Sequence, residues 1–154
     1  MGPANSLFYL VQHLAAVMGR QSEEVLQERL GIGLSQFKIL MVLEWNPRVS
    51  QRVIADSLGQ TEASISRQVK TLTAKDLLSA KRDPGNRRKF IISPTPRGMQ
   101  LTESANELLR RGPNAGVPGL DESQVHELAT GLQQLHRAVC RPGRPGSCNH
   151  GLGL

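Results

Sequence analysis

Aromatic side chains, cysteines and long apolar runs are all scarce in this 154-residue sequence. Aromatic residues make up only 3%, so any core must be built from aliphatic side chains. No apolar run approaches the ~20 residues that a membrane span needs. The N-terminal stretch MGPANSLFYLVQHL lacks the basic region and cleavage pattern of a secretion signal. We therefore expect a cytoplasmic protein with no membrane partner.

The sequence also contains no recognisable catalytic or metal-binding set. Its serines have no histidine in a defensible triad arrangement, and no glycine-rich phosphate loop follows a predicted strand. Cys140 and Cys148, with His136 and His150, match no zinc spacing, because closed zinc sites favour tight pairs of ligands. Two thiols in a reducing compartment are more often free than bridged. We predict a protein that is not an enzyme and that requires no metal or cofactor.

Positive charge is concentrated in one short stretch. The net charge is +6, and residues 81–89 contribute +4 of it. Like charges repel, so this crowding favours a polyanionic partner. The five cations surround the turn sequence DPGN and are Lys81, Arg82, Arg87, Arg88 and Lys89.

Hydrophobic spacing and capping residues predict four helices in the first half of the chain. The first covers residues 5–30 and is too apolar to be a lone surface helix. Three shorter helices follow, with the layout of a helix-turn-helix core. They are QFKILMVLEW capped by Ser35, QRVIADSL capped by Ser50, and EASISRQVKTLTAKDLL capped by Thr61.

The second half is predicted to begin with a hairpin and to end with two helices. The strands are Ser79–Asp83 and Lys89–Ser93, with DPGN as the turn. A helix then runs from Pro96, capped by Thr95, to about Arg111. Residues 112–119 are predicted to form a linker, and residues 141–154 a disordered tail. The last helix, capped by Asp121, has a narrow apolar seam suited to docking another helix, formed by Val125, Leu128, Leu132, Leu135 and Val139.

The fourth helix has two contrasting faces. One carries Ile65, Val69 and Leu72 and is predicted to face the core. The other is small, polar and basic, as suits the major groove, where serine bonds base edges or phosphates and arginine pairs with guanine. The hairpin beside it is predicted to be a wing, since narrow minor grooves attract inserted arginine. The residues of the polar face are Ala63, Ser66, Arg67, Lys70 and Ala74.

Residues 34–98 resemble the winged helix-turn-helix of the MarR family of bacterial transcriptional regulators. The matching stretches are LSQFKILMVL and SQRVIADSLGQTEASISRQVKTLTAKDLLSAKRDPGNRRKFIISPTPRG. The likeness extends to the flanking helices and covers residues 5–139. Three positions depart from the family pattern: Asp76 replaces a usual glycine, Asn86 a usual aspartate, and Pro94 a usual leucine.

The resemblance implies a mainly α fold with a small β-hairpin wing, in which a winged helix-turn-helix core is flanked by N- and C-terminal dimerisation helices. The implied segments are a dimerisation helix (1–33), a DNA-binding domain (34–98), two dimerisation helices (99–140) and a flexible tail (141–154). The implied function is that of a homodimeric repressor of a pseudo-palindromic operator. Its partners would be double-stranded DNA and a small aromatic or lipophilic effector.

Two sets of site residues are predicted. The proposed effector crevice contains Tyr9, His13, Met18 and Trp45, for which ordinary packing is the competing explanation. The resemblance puts Ser64, Ser66 and Arg67 in the major groove and Arg88 at the wing tip. The full DNA-contacting set is Ser50, Gln51, Arg52, Thr61, Ser64, Ser66, Arg67, Lys70, Lys81, Arg82, Arg87, Arg88 and Lys89.

Two alternative functions remain open from the sequence. One is an architectural or RNA-binding module without a regulatory ligand, which would discriminate little between duplex sequences. The other is an adaptor whose winged helix binds protein, which would show no salt-sensitive duplex binding. The family's oxidant-sensing branch uses a cysteine in the first helix, and this chain has no cysteine before residue 140.

Overall fold

The computed structural model describes residues 6–111 and 119–140. These residues form a mainly helical fold with a small antiparallel sheet, as predicted. Within them, no helix has the length and apolar character needed to cross a membrane. The elements in chain order are α1 (Leu7–Leu30), α2 (Leu34–Trp45), β1 (Val49–Ser50), α3 (Gln51–Leu58), α4 (Glu62–Ala74), β2 (Leu78–Arg82), β3 (Phe90–Pro94), α5 (Pro96–Arg111) and α6 (Glu122–Val139).

The core is almost entirely aliphatic, which confirms the expectation from composition. Phe37 is the aromatic side chain buried within it. The sheet contributes Ile92, and α4 contributes the three residues predicted to face inward, Ile65, Val69 and Leu72. Helices α2, α3 and α4 and the sheet therefore share one core, to which α1 adds Leu26 and α5 adds Ala105 and Leu109.

Helix α2 begins at Leu34, two residues earlier than predicted, and Ser35 is not its cap. Gly33 is the extended cap residue, and the Gln36 side chain accepts a hydrogen bond from its N–H at 3.3 Å. The carboxylate of Glu23, on α1, accepts a hydrogen bond from the N–H of Leu34. The prediction missed this start because Gly33 has no side chain to signal a cap and because one capping group, Glu23, comes from another helix.

The predicted caps of α3 and α4 are confirmed. The Ser50 hydroxyl accepts from the N–H of Val53 at 3.4 Å, and the Thr61 hydroxyl from the N–H of Ser64 at 3.2 Å. Gly59 ends α3 in the left-handed conformation with φ 61°. Because a side chain disfavours that conformation, glycine suits this sharp turn between α3 and α4.

Helix α4 is shorter than predicted, since it ends at Ala74 rather than Leu78. Asp76 reverses the chain with φ 57°, and the N–H of Leu77 returns to the carbonyl of Leu72 at 2.9 Å. This is the pattern of a left-handed helix end, which usually has glycine at that position. The apolar pair Leu77 and Leu78 fits a helix by periodicity alone, which explains the error.

The three strands form a sheet in the order β1-β3-β2. Both predicted strands exist, each displaced by one residue, and Ala80 pairs with Ile92. Strand β1 was not predicted. It has only two residues, and Val49 pairs with Ile92 on the other side of β3.

The last two helices begin as predicted. The Thr95 hydroxyl accepts from the N–H of Gly98 at 3.0 Å, and Pro96 starts α5. At α6, the carboxylate of Asp121 accepts from the N–H of Gln124 at 2.9 Å, and the Gln124 side chain accepts from the N–H of Asp121. The predicted linker, but for Gly119, and the predicted tail lie outside the described residues.

Candidate nucleic-acid interface

Helix α4 presents a solvent-facing basic side. Ile65 and Val69 are buried, while Arg67 and Lys70 between and beside them are exposed. Ala63 is also exposed, and Ser66 is half-buried. The structure thus brings together on one accessible face most of the residues predicted to enter the major groove.

Ser64 has a different environment from the rest of that face. Its hydroxyl lies within hydrogen-bonding distance of another side chain, donating to Oε1 of Gln60 at 3.4 Å. Gln60 and Gln68 both reach Ser35 on α2. Neither glutamine was predicted to matter, because the sequence gives no signal that three residues so far apart along the chain meet.

The wing, defined here as residues 78–94, closes through two consecutive turns. The N–H of Asn86 bonds the carbonyl of Asp83 at 3.2 Å, which confirms the DPGN turn. The N–H of Lys89 then bonds the carbonyl of Asn86 at 2.8 Å. Side chains support both turns, since Asp83 accepts from the N–H of Gly85 and Asn86 from the N–H of Arg88. Asn86 therefore fixes the backbone beside Arg88.

Arg82 is committed to the wing itself. Its guanidinium donates to the carbonyl of Arg87 at 2.6 Å and lies 5.2 Å from the ring centre of Phe90. The Arg82 side chain therefore connects β2 to the loop and to β3, so it stabilises the wing and also contributes positive charge.

Among the residues that the structure describes, the wing cations have no ion-pair partner. Both described ion pairs lie at the end of α5, where Glu107 contacts Arg110 and Arg111. The hydrogen bond from Arg110 is the main cause that lowers the pKa of Glu107. Within residues 6–111 and 119–140, the five wing cations form no ion pair and all are exposed. Their positive charge is available to an external anion.

The start of α3 lies beside the wing. Ser50 pairs with Ile91 of β3, so the first residues of α3 follow directly from the edge of the sheet. Arg52 is exposed and Gln51 is half-buried. Ser50 uses its hydroxyl as the helix cap, while its half-buried position leaves it near the surface.

The residues predicted to form an effector crevice do not meet in one described cavity. Tyr9 and His13 stack on α1 with ring centres 5.7 Å apart. Trp45 is 65% exposed at the end of α2, and Met18 is also exposed. An apolar groove between α1 and α6 is instead lined by other residues, including Phe8, Val11, Leu132 and His136.

Helices α1 and α6 leave a large apolar surface uncovered. No residue of α6 is buried. The seam residues Val125, Leu128, Leu132 and Val139 are between 38% and 52% exposed, and Leu135 is half-buried. Exposed large apolar side chains on α1 are Leu7, Phe8, Tyr9, Leu10, Leu14 and Met18.

Helix α4 has one buried apolar face and one exposed basic face, and it lies next to a hairpin whose exposed cations form no ion pair among the described residues. This arrangement is typical of a winged helix-turn-helix of the DNA-binding class. Within the described part of the chain, no three His, Cys, Asp or Glu residues are grouped to hold a metal ion. Residues 30–89 match a sequence model described as MarR family.

Two curated relatives cover most of the chain. A transcriptional regulator named BilQ from Clostridium symbiosum is 27% identical over 73% of this chain and 76% of its own length. A putative regulatory protein for the hcr operon of Thauera aromatica is 25% identical over 77% of this chain and 71% of its own.

Solved structures match the fold as well. The regulator BldR from Sulfolobus solfataricus is 26% identical and has a TM-score of 0.75, covering 84% of this chain and 91% of its own. CouR from Rhodococcus jostii, bound to p-coumaroyl-CoA, is 20% identical with a TM-score of 0.73, covering 88% and 94%. A mutant MarR from E. coli in complex with operator DNA is 19% identical with a TM-score of 0.73, covering 84% and 92%.

The match of residues 30–89 to the MarR family model, the two curated relatives and the fold all make this chain similar to the MarR family of transcriptional regulators. Regulators of this family are transcription factors and not enzymes. The chain is therefore a DNA-binding transcriptional regulator.

Proposed function

We propose that this protein is a homodimeric repressor that binds a pseudo-palindromic operator in the cytoplasm. Each protomer would place α4 in the major groove and its wing in the flanking minor groove. The observation that carries this proposal is the exposure of Arg67 on α4 together with the five exposed wing cations, which form no ion pair among the described residues. The MarR complex with operator DNA supports it as a precedent from a protein of the same fold.

Helix α4 and the wing would contact different parts of the DNA, because their side chains differ. Arg67 is long enough for bidentate pairing with guanine, and Ala63 and Ser66 are small enough to allow close approach to base edges. The wing offers charge rather than a pattern of donors, so it would mainly contact phosphates or the minor groove. The proposed DNA-contacting residues at the start of α3, Ser50, Gln51 and Arg52, would lie along the sugar-phosphate backbone.

The dimer is proposed from the uncovered apolar surface. Burying a large aliphatic side chain contributes roughly 1.5–3 kcal/mol, so the α6 seam and the first half of α1 represent a substantial driving force. A second copy of the chain offers a matching surface, and symmetric pairing is the common outcome for such faces. Residues 1–33 and 99–140 would then form the dimerisation region around the DNA-binding domain at 34–98.

Regulation by a small molecule is proposed from the relatives. CouR binds p-coumaroyl-CoA, and this chain has the same fold. An aromatic or lipophilic effector bound between the dimer helices and the DNA-binding domain would change the distance between the two α4 helices. A ligand shifts such an equilibrium only as far as its affinities for the two conformations differ. Tyr9, His13, Met18 and Trp45 remain the proposed contacts.

Selection from a random duplex pool followed by sequencing tests the proposed function. We expect an enriched inverted repeat whose half-site centres are about one helical turn apart. A competition assay should then show roughly thousandfold or greater preference for the selected duplex over random duplex. Tight binding without preference would favour the architectural or RNA-binding alternative, and absence of salt-sensitive binding would favour an adaptor.

A further inference from the structure

We propose that Ser35, Gln60 and Gln68 are positioning residues that set the orientation of α4 for sequence-specific recognition. This inference rests on the proposed function. The three side chains come from three different places: the first turn of α2, the turn before α4, and the middle of α4. None of them belongs to the predicted DNA-contacting set.

The three side chains form a closed triangle of hydrogen bonds. Nε2 of Gln68 donates to the Ser35 hydroxyl at 2.8 Å and lies 3.4 Å from Oε1 of Gln60. Nε2 of Gln60 donates to the same Ser35 hydroxyl at 3.1 Å. Ser35 therefore accepts two bonds, and each pair of residues in the triangle is joined.

The triangle links α4 directly to α2. Gln68 follows Arg67 in the chain, and successive helical residues point about 100° apart. A rotation of α4 about its axis that moved Arg67 would therefore also move Gln68 away from Ser35. Fixing Gln68 thus limits the directions in which Arg67 projects.

Hydrogen bonds join both ends of α4 to the short region around the start of α2. At the N-terminal end, Gln60 immediately precedes the capping residue Thr61 and also accepts from Ser64 at 3.4 Å. At the C-terminal end, Nζ of Lys75 donates to the carbonyl of Gly31 at 2.8 Å. Gly31 and Ser35 flank the start of α2, so this short region fixes α4 at two separated points.

The geometry favours positioning over direct contact with bases. Ser35, Gln60 and Gln68 are all half-buried. Nε2 of Gln68 makes both of its bonds inside the triangle, so it has no amide proton left for a base unless a bond breaks. The expected effect of losing the triangle is imprecise placement of Arg67, which lowers discrimination between sequences and leaves phosphate contacts in place.

The test compares binding to the selected operator with binding to random duplex for three full-length variants. Ser35→Ala removes the hydroxyl that accepts from both glutamines. Gln68→Met removes the amide donor of Gln68 with a side chain of similar size and no change of charge. Ser35→Thr keeps a hydroxyl at this position. For the first two, we expect the operator-to-random affinity ratio to fall roughly three- to tenfold, the loss typical of one or two hydrogen bonds. Affinity for random duplex should stay within about twofold, because phosphate contacts supply most non-specific binding.

Ser35→Thr should keep most of the operator-to-random affinity ratio of the unaltered protein. A matched control is Ser104→Ala, which removes an exposed hydroxyl on α5 that donates to the carbonyl of Gln100. Thermal unfolding of every variant identifies those that fail to fold. If Ser35→Ala does fail, Gln68→Met decides by the same criterion.

Two outcomes overturn the inference while leaving the proposed function intact: an unchanged ratio in the folded variants, or an equal fall for operator and random duplex. If the unaltered protein itself shows no preference for any duplex, the proposed function fails instead. The experiment therefore separates the two failures.

Discussion

The carbonyl oxygen of Leu77 lies against the α-carbon of Gly98, so close that a Cβ at Gly98 would come within 2.0 Å of it. The same carbonyl accepts a hydrogen bond from the N–H of Thr95 at 3.1 Å. Leu77 joins α4 to the wing, and Gly98 lies in the first turn of α5. This contact therefore fixes the base of the wing against the helix that leads to the proposed dimer region.

Replacing Gly98 with alanine should destabilise the protein. The neighbouring atom is a backbone carbonyl oxygen, which cannot move aside as a flexible side chain would, and overpacking of this kind costs about 1–3 kcal/mol or more. Chemical denaturation measures the loss in free energy of unfolding. Gln100→Ala, an exposed change two residues further along α5, is the control and should alter it by under about 0.5 kcal/mol. Equal stability for Gly98→Ala and the control would contradict the close contact.

Asp76 is the non-glycine residue that adopts the left-handed conformation among those described, with φ 57°. Because a side chain costs roughly 1–2 kcal/mol there, Asp76→Gly should raise the free energy of unfolding by up to about 1 kcal/mol. Asp76→Ala removes the carboxylate but keeps a Cβ, so it should bring no such gain. Thermal unfolding distinguishes the two variants, and the same gain in both would show that the carboxylate, and not the backbone, is responsible.

Arg67→Ala tests the major-groove contact. We expect a loss of about 1–3 kcal/mol in binding to the selected operator and relaxed preference at one base position per half-site. Fluorescence anisotropy with operators substituted one base pair at a time measures both. Arg29→Ala, an exposed cation on α1, is the control for loss of charge. An unchanged base preference in Arg67→Ala would remove Arg67 from the recognition surface.

Leu132→Glu tests the proposed dimer. The substitution puts a charge in the centre of the α6 seam, where desolvation would disfavour pairing. Light scattering should report a monomer at concentrations where the unaltered protein is dimeric. Gln133→Glu introduces the same carboxylate one residue outside the seam and should remain dimeric. A Leu132→Glu variant that stays dimeric would mean that the interface lies elsewhere.

Much of this fold follows from local sequence signals. Caps at Ser50, Thr61, Thr95 and Asp121 were predicted correctly because a side chain and its own helix end carry the whole interaction. The inward face of α4 was predicted because its apolar spacing repeats. Two of the failures depend on contacts between distant segments: the start of α2 depends on Glu23 from another helix, and the two-residue β1 pairs with β3. The wrong end of α4 has a local cause, because Asp76 ends the helix where glycine is usual.

In the candidate site, too, the sequence reveals features with a local signal and not those that depend on distant contacts. The basic wing and the exposed Arg67 are visible as a concentration of charge and as a helical pattern. The triangle of Ser35, Gln60 and Gln68 is not, because no periodicity relates those positions. The prediction that Ser35 caps α2 was wrong for this reason: its hydroxyl serves α4 instead.

The salt dependence of operator binding by Arg88→Ala tests the central claim most directly. Arg88 is exposed at the wing loop, with its N–H held by Asn86 at 3.1 Å. If each wing neutralises one phosphate through Arg88, the slope of log affinity against log salt should become shallower by about 0.9 per protomer, or about 1.8 per dimer. Affinity should fall similarly for all sequences, and Arg137→Ala on α6 should change neither quantity. An Arg88→Ala protein with the slope and affinity of the unaltered chain would contradict the assignment of the wing to DNA.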